Sequence, residues 1–140
     1  MPKKQSTIAL ITDFGLQDGY VGVMKGVISN INPSASVIDI SNTIAAQDIF
    51  QAACVLNNSY NYFPKGTIHV VVVDPGVGSD RKILCLKTED YTFLAPDNGV
   101  LSLVIEKEES SSIREVTNGK FFLPKLSNTF HGRDIFAPVA

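Results

Sequence analysis

The sequence predicts an α/β protein with a mostly parallel sheet flanked by helices, and three observations support this fold class. Strand-like and helix-like segments alternate through residues 8–73. The first strand-like segment, residues 8–12, is an apolar run without alternation, as expected for a strand that helices cover on both faces. The connections between segments are short, which is typical of parallel βαβ units.

The first half of the chain contains three predicted strands and two predicted helices. Apolar residues recur at three- and four-residue spacing from Tyr20 to Ile31 and again from Ile49 to Tyr60, which indicates two amphipathic helices. Proline-containing segments follow both helices and end them. The predicted strands are residues 8–12, 37–40 and 67–73, and the predicted helices start near Asp18 and Asp48 and stop at Asn32 and Pro64.

The second half is less regular. Residues 83–87 and 91–95 flank a short polar turn and predict a β-hairpin. The remaining predictions are a short helix at 99–105, an exposed loop at 106–112, a strand at 113–116 and the beginning of a further helix at 130–140. The chain stops where this last helix begins, so we expect that sequence is missing beyond residue 140.

Composition narrows the range of partners. The chain has 140 residues, 44% of them apolar, which is enough for one domain with a buried core. Twelve basic and fourteen acidic residues give a net charge of -2, so no broad positive surface predicts nucleic acid or an anionic membrane as a partner. The apolar runs are too short to cross a bilayer as a helix, and no leader precedes the first strand. We therefore expect a cytoplasmic protein.

Two aspartates follow predicted strands directly. Asp13 comes after the strand 8–12 and Asp74 after the strand 67–73, and each precedes a turn that contains glycine. Ligands of open α/β sheets bind beyond the carboxyl ends of the strands, so both carboxylates stand where a ligand is expected. The alternative is that both side chains only cap helices or brace turns, and the two interpretations are about equally supported.

The glycine-rich turn after Asp74 invites comparison with a phosphate-binding loop. Residues 75–78 lack the complete G-x-G-x-x-G pattern and the G-K-[ST] ending, so this signal is weak. A tight turn that brings Arg81 back towards Asp74 explains the glycines better. The sequence therefore predicts an ion pair between these two side chains.

The two histidines have different settings. His69 lies within a predicted strand and is expected in the core, whereas His131 lies in a polar cluster at residues 129–134. The cluster is either functional or the start of a helix, with Asp134 near its N-terminus. Histidine spacing predicts no metal site, and no G-x-S-x-G elbow predicts a serine hydrolase. Asn98 belongs to another strand-end turn, which taken alone indicates turn chemistry.

Taken together, four segments resemble one family in order and spacing. They are ITDFGLQDGYVGVMKG (11–26), VVVDPGVGSDR (71–81), LAPDNGVLS (94–102) and FHGRDIFAPVA (130–140). The family is that of the S-adenosyl-L-methionine hydrolases (adenosine-forming), also called SAM hydroxide adenosyltransferases, which are related to fluorinase and chlorinase. The resemblance implies hydrolysis of S-adenosyl-L-methionine (SAM) to adenosine and L-methionine, with no cofactor and no metal.

The resemblance also implies roles for individual residues. Asp74, Arg81 and His131 match the family's set around the nucleophilic water. Asp13 is similar to the acid that binds the ribose diol, and Asp18 to the acid near the methionine amine. The further residues expected to bind substrate are Gln47, Asn98, Gly132 and Arg133, and Gln47 stands where halogenating relatives carry an aromatic residue.

Members of the family continue into a C-terminal β-rich domain and form trimers, with the active site between subunits. The resemblance therefore implies that residues 1–140 are the N-terminal α/β catalytic domain, and that the protein is a homotrimer if the C-terminal domain is present. The alternatives are a noncatalytic α/β domain with a residual nucleoside site, a SAM-dependent halogenase and a phosphate-binding nucleotide module. The halogenase is disfavoured because an ionised Asp74 repels a halide ion.

Overall fold

A computed structural model of the chain describes residues 6–109, 111–124, 126 and 131–140. Its centre is a six-stranded sheet in the order β2-β1-β3-β5-β4-β6. The strands are β1 (Thr7–Thr12), β2 (Ser36–Ser41), β3 (Ile68–Val72), β4 (Ile83–Thr88), β5 (Thr92–Pro96) and β6 (Ser111–Glu115). Strands β2, β1, β3 and β5 are parallel, and β4 runs antiparallel to β5 and β6. The predicted α/β class is confirmed.

Helices cover both faces of this sheet. The longer ones are α1 (Tyr20–Ile31) and α2 (Ile49–Ser59), followed by α3 (Ser102–Lys107) and, after a π-helical segment Gly132–Phe136, by α4 (Ala137–Val139). Helices α1 and α4 pack together, as do α2 and α3. Asp48 caps α2, because its carboxylate accepts a hydrogen bond of 2.9 Å from the Gln51 amide.

The strand β3 and the residue after it explain why the apolar runs do not alternate with polar residues. Val71 and Val73 pack into the cluster beneath α2 and α3, whereas Val70 and Val72 pack into the cluster beneath α1 and the C-terminal helical turns. All four side chains are at most 3% exposed. Since both faces are buried, all positions from 70 to 73 are apolar.

The predicted hairpin is confirmed, but the loop predicted at 106–112 is wrong for most of its length. Helix α3 extends to Lys107, and β6 begins at Ser111. All five residues of β6 are exposed at the edge of the sheet, so burial imposes no apolar pattern on them. The strand predicted at 113–116 is confirmed for residues 113–115, and backbone pairing with β4 extends it back to Ser111.

The predicted helix at 99–105 begins three residues later than expected. Gly99 has φ +89, a left-handed conformation that belongs to the turn after β5. The last predicted helix is confirmed from Gly132 onward, and Phe130 lies outside the described residues. In the part of the chain that the structure describes, no helix has the length and apolar character needed to span a membrane.

His69 is a core residue, as predicted. Its side chain is 0% exposed and lies among four aromatic rings, stacked on Phe93 at 5.2 Å between ring centroids and edge-on to Tyr60, Phe63 and Tyr91. Neither ring nitrogen has a side-chain or backbone hydrogen-bond partner of good geometry among the described residues. Burial lowers the pKa of His69 from 6.5 to about 4, because the apolar surroundings disfavour the charged imidazolium.

The burial of His69 predicts that the protein becomes less stable as the pH falls. The unfolded chain binds a proton at His69 near pH 6.5 and the folded chain only near pH 4, so stability is lost as the pH falls through this window. We expect the free energy of unfolding in urea to drop by about 2 kcal/mol between pH 7 and pH 5 through this residue. The variant His69→Phe should lack that part of the pH dependence, and an identical slope in both proteins would contradict the assignment.

Candidate active site

The candidate site lies at the carboxyl ends of β1 and β3. These strands are adjacent and parallel, with Thr12 paired to Val72. The chain leaves β1 at Asp13 and reaches Asp74 two residues past the end of β3. Both carboxylates therefore emerge at the same edge of the sheet, which is the edge where α/β proteins bind ligands.

Asp74 and Arg81 form the predicted ion pair. Arg81 Nε lies 3.1 Å from Asp74 Oδ1 and 2.9 Å from Oδ2, and Arg81 Nη2 donates a further bond of 2.5 Å to Oδ2. The side chains are 12% exposed for Arg81 and 4% exposed for Asp74. A guanidinium that engages both carboxylate oxygens fixes the position and the rotation of both groups.

The turn between the two charges depends on glycine. Two successive turns, closed by Val77 N to Asp74 O at 3.2 Å and by Ser79 N to Gly76 O at 3.0 Å, reverse the chain. A Cβ atom on Gly76 would lie 3.1 Å from both Arg81 Cγ and Ser79 Oγ. Gly76 therefore lets the Arg81 side chain pass close to the backbone on its way to Asp74.

His131 joins the pair through Arg81. The distance from Arg81 Nη2 to His131 Nδ1 is 2.8 Å. A guanidinium has only donors, so Nδ1 is the acceptor in this contact and carries no proton. The ring proton of the neutral imidazole is then on Nε2. The structure thus brings together the three residues that the sequence predicts as catalytic, across 57 positions of the chain from 74 to 131.

The helical turn after His131 is anchored by Gly132. A Cβ atom there would lie 3.2 Å from Met24 Sδ and 3.2 Å from the Phe14 ring, so glycine lets the turn approach these two side chains without displacing them. Arg133 Nε donates to Asp134 Oδ1 at 2.6 Å, and this bond raises the pKa of Arg133. Asp134 is 0% exposed. The sequence analysis left Asp134 either in a functional cluster or near a helix N-terminus, and it did not predict that Asp134 is the buried partner of Arg133.

Asp13 is held by a loop from the next strand. Its Oδ2 accepts a hydrogen bond of 2.8 Å from the backbone amide of Gln47. Gln47 has φ 60, a left-handed conformation that is uncommon for residues other than glycine. Asn42, which sequence reasoning also missed, accepts a buried bond of 2.9 Å from Thr12 Oγ1 and so supports the same loop. No short-range pattern in the sequence reveals this contact.

These groups surround one small cavity. Its volume is about 50 Å³, and its walls come from Asp13, Asp74 and His131 together with Phe14, Val72, Val77 and Gly132. A water molecule occupies roughly 30 Å³ in the liquid, so the space suits one or two of them. The carboxylates of Asp13 and Asp74 and the imidazole of His131 therefore line a cavity whose other walls are apolar.

Four residues predicted to bind substrate are not part of the cavity wall, namely Asp18, Gln47, Asn98 and Arg133. Asp18 is exposed in the segment before α1 and is not part of the cavity wall. Asn98 lies in the turn after β5, where its side chain bonds the backbone of Val73 at 2.9 Å and of Val100 at 3.2 Å. Their predicted contacts with substrate remain predictions. Within the described ranges, no three His, Cys, Asp or Glu side chains form a group that could hold a metal ion.

Comparisons with known proteins agree with the resemblance. Residues 8–140 match the sequence profile of the SAM hydroxide adenosyltransferase N-terminal domain. The protein named (R)-S-adenosyl-L-methionine hydrolase of Methanocaldococcus jannaschii is 44% identical over 137 residues, which cover 94% of this chain and 51% of that relative. A protein named fluorinase from an Actinoplanes species is more distant, with 24% identity over 93% of this chain and 51% of its own.

The fold is also found in a solved structure. The crystal structure of an uncharacterized conserved protein from Thermotoga maritima matches with a TM-score of 0.92 and 48% sequence identity, covering 94% of this chain and 51% of that one. The chain spans about half the length of the curated relatives it matches. Because the family profile covers nearly all of its residues, the chain belongs to the SAM hydroxide adenosyltransferase family.

Proposed function

We propose that this chain carries the reacting half of a SAM hydrolase site, which converts SAM and water to adenosine and L-methionine. The observation that carries the proposal is the contact of Arg81 with both Asp74 and His131 at the wall of a water-sized cavity. The family membership and the name of the relative with 44% identity support the same reaction.

The chemistry matches what these residues can supply. The sulfonium of SAM leaves as a neutral thioether, so the leaving group needs no proton from an acid. The nucleophile is the difficult partner, because water must lie in line with the bond from C5′ to sulfur and must lose a proton as it attacks. Fixed hydrogen-bonding groups around a small cavity provide that positioning, and a nearby base accepts the proton.

The contacts around Arg81 suggest how the roles divide. His131 Nδ1 accepts from Arg81, so accepting the water proton there would break that contact. Asp74 Oδ1 accepts one bond from Arg81 and Oδ2 accepts two, which leaves more acceptor capacity on Oδ1 within the described residues. We therefore assign the proton to Asp74. The Arg81 cation stabilises the hydroxide character that develops on the water.

Asp13 and the other predicted residues would hold the rest of the substrate. A cavity of about 50 Å³ is much smaller than the roughly 300–1,000 Å³ of pockets that enclose ligands of this class. We propose that a C-terminal β-rich domain and a neighbouring subunit of a homotrimer enclose the adenine and the methionine. A cytoplasmic location is part of the same proposal.

The origin of the new oxygen atom tests the reaction. Incubation of the purified protein with SAM in water enriched in the heavy oxygen isotope should yield adenosine with the label at the 5′ hydroxyl, because water attacks C5′. Mass spectrometry of the nucleoside reads this directly. Added chloride should not change the product. A 5′-halogenated nucleoside would support the halogenase instead, and the absence of any nucleoside from the protein that includes the C-terminal domain would support the noncatalytic domain.

The role of Asp74 is tested by a neutral substitution of the same shape. Asp74→Asn removes the proton acceptor and turns an NH₂ group towards the Arg81 donors, so we expect kcat for adenosine release to fall at least about 100-fold. Asp39→Asn is the matched control. Asp39 on β2 forms an exposed ion pair with Lys25 on α1, so this variant should keep full activity. A kcat of Asp74→Asn within a factor of about two of the control would contradict the assignment.

A further inference from the structure

One turn bonds to the backbone at both ends of the segment that carries the ion pair. The turn follows β5 and contains Asp97 and Asn98. Asn98 Nδ2 donates to the carbonyl oxygen of Val73 at 2.9 Å, and the amide of Asp97 donates to the carbonyl oxygen of Lys82 at 2.8 Å. Val73 directly precedes Asp74, and Lys82 directly follows Arg81. The turn therefore holds the two ends of the ion-pair segment at a fixed distance.

The carbonyl of Val73 requires such a partner. Strand β3 pairs with β1 as far as Val72 and with β5 only as far as Val70, so Val73 lies beyond both ladders. Val73 is 0% exposed. A buried carbonyl without a hydrogen bond is costly, and Asn98 supplies the donor that the neighbouring strand does not.

The orientation of the Asn98 amide follows from its two partners. The Val73 carbonyl can only accept, and the Val100 amide, 3.2 Å from Asn98 Oδ1, can only donate. The NH₂ group must therefore face Val73 and the oxygen must face Val100. Both ends of the side chain take part in bonds to the backbone of the chain itself.

The peptide group that contains the Val73 carbonyl also contains the Asp74 nitrogen. Its direction sets where the Asp74 Cα atom lies and how its carboxylate meets Arg81. A displacement of about 1 Å in a reacting group costs on the order of 100-fold in rate, so a small rotation of this peptide matters for catalysis. Asn98 thus acts on the site through the backbone.

We propose that Asn98 is a positioning residue, which orients Asp74 and thereby the contacts of Arg81 with Asp74 and His131. The inference rests on the proposed SAM hydrolysis for its kinetic consequence only. Asn98→Asp is the sharpest variant, because it keeps the acceptor for Val100 and replaces the donor to Val73 with an oxygen that repels the carbonyl.

The kinetic experiment compares Asn98→Asp with Asn32→Asp. Asn32 also accepts a backbone bond with Oδ1, from Ser34 at 3.3 Å, and it lies at the C-terminal end of α1. Both variants add one negative charge. We expect kcat of Asn98→Asp to fall at least about tenfold below the control while KM changes less than about twofold, since the ground state loses no contact. A rise in KM at unchanged kcat would overturn the proposal and favour the predicted substrate contact.

A second measurement needs no activity. The nitrogen NMR signal of Arg81 Nε–H reports the bond to Asp74 in the free protein. It should shift or broaden in Asn98→Asp and stay unchanged in Asn32→Asp. If the parent protein releases no adenosine, the proposed function fails, yet this signal still decides on the role of Asn98. An unchanged signal in a folded Asn98→Asp protein would overturn the inference.

The parent protein gives a check that does not depend on how the variant folds. A hydrogen bond from Asn98 Nδ2 to the Val73 carbonyl should produce a measurable scalar coupling between that nitrogen and the carbonyl carbon. Its detection supports the positioning role, and its absence in a well-resolved spectrum would contradict it.

Discussion

Arg81 contacts Asp74 and His131 at the same time, and the rest of the site is arranged around this double contact. Its Nη2 group has two hydrogens, and one is directed to the carboxylate while the other is directed to the imidazole. A carboxylate that is 4% exposed is costly to bury without a paired cation. Removing Arg81 would therefore take away the cation that pairs with Asp74 and the donor that contacts His131 Nδ1.

Different elements of the fold position the four polar side chains of the site: two strand ends, a turn and a helical turn. Parallel β1 and β3 bring Asp13 and Asp74 to one edge of the sheet, and the glycine-containing turn returns Arg81 to that edge. His131 comes from the C-terminal part of the chain. Its helical turn packs closely against Met24 of α1, where Gly132 leaves the space. A buried sheet with rigid strand ends is a suitable scaffold for a site that needs accurate distances.

The sequence predicts the features that arise from local patterns. Unbroken apolar runs predict β1 and β3, and the three- and four-residue spacing predicts α1 and α2. The ion pair follows from the glycines between Asp74 and Arg81. Contacts with a distant partner leave no such pattern. The start of β6 at Ser111 depends on pairing with β4, and the bond from Thr12 to Asn42 depends on the loop after β2. The bond of Asn98 to Val73 requires knowledge of which strands are neighbours.

The tautomer of His131 tests the central contact most directly. Nitrogen NMR of the ring distinguishes a protonated from an unprotonated nitrogen. We predict a neutral ring with an unprotonated Nδ1 that accepts from Arg81 and a proton on Nε2, and we expect Arg81→Leu to weaken this preference. A proton on Nδ1 in the parent protein, in either a neutral or a charged ring, would contradict the account, because a guanidinium cannot accept it.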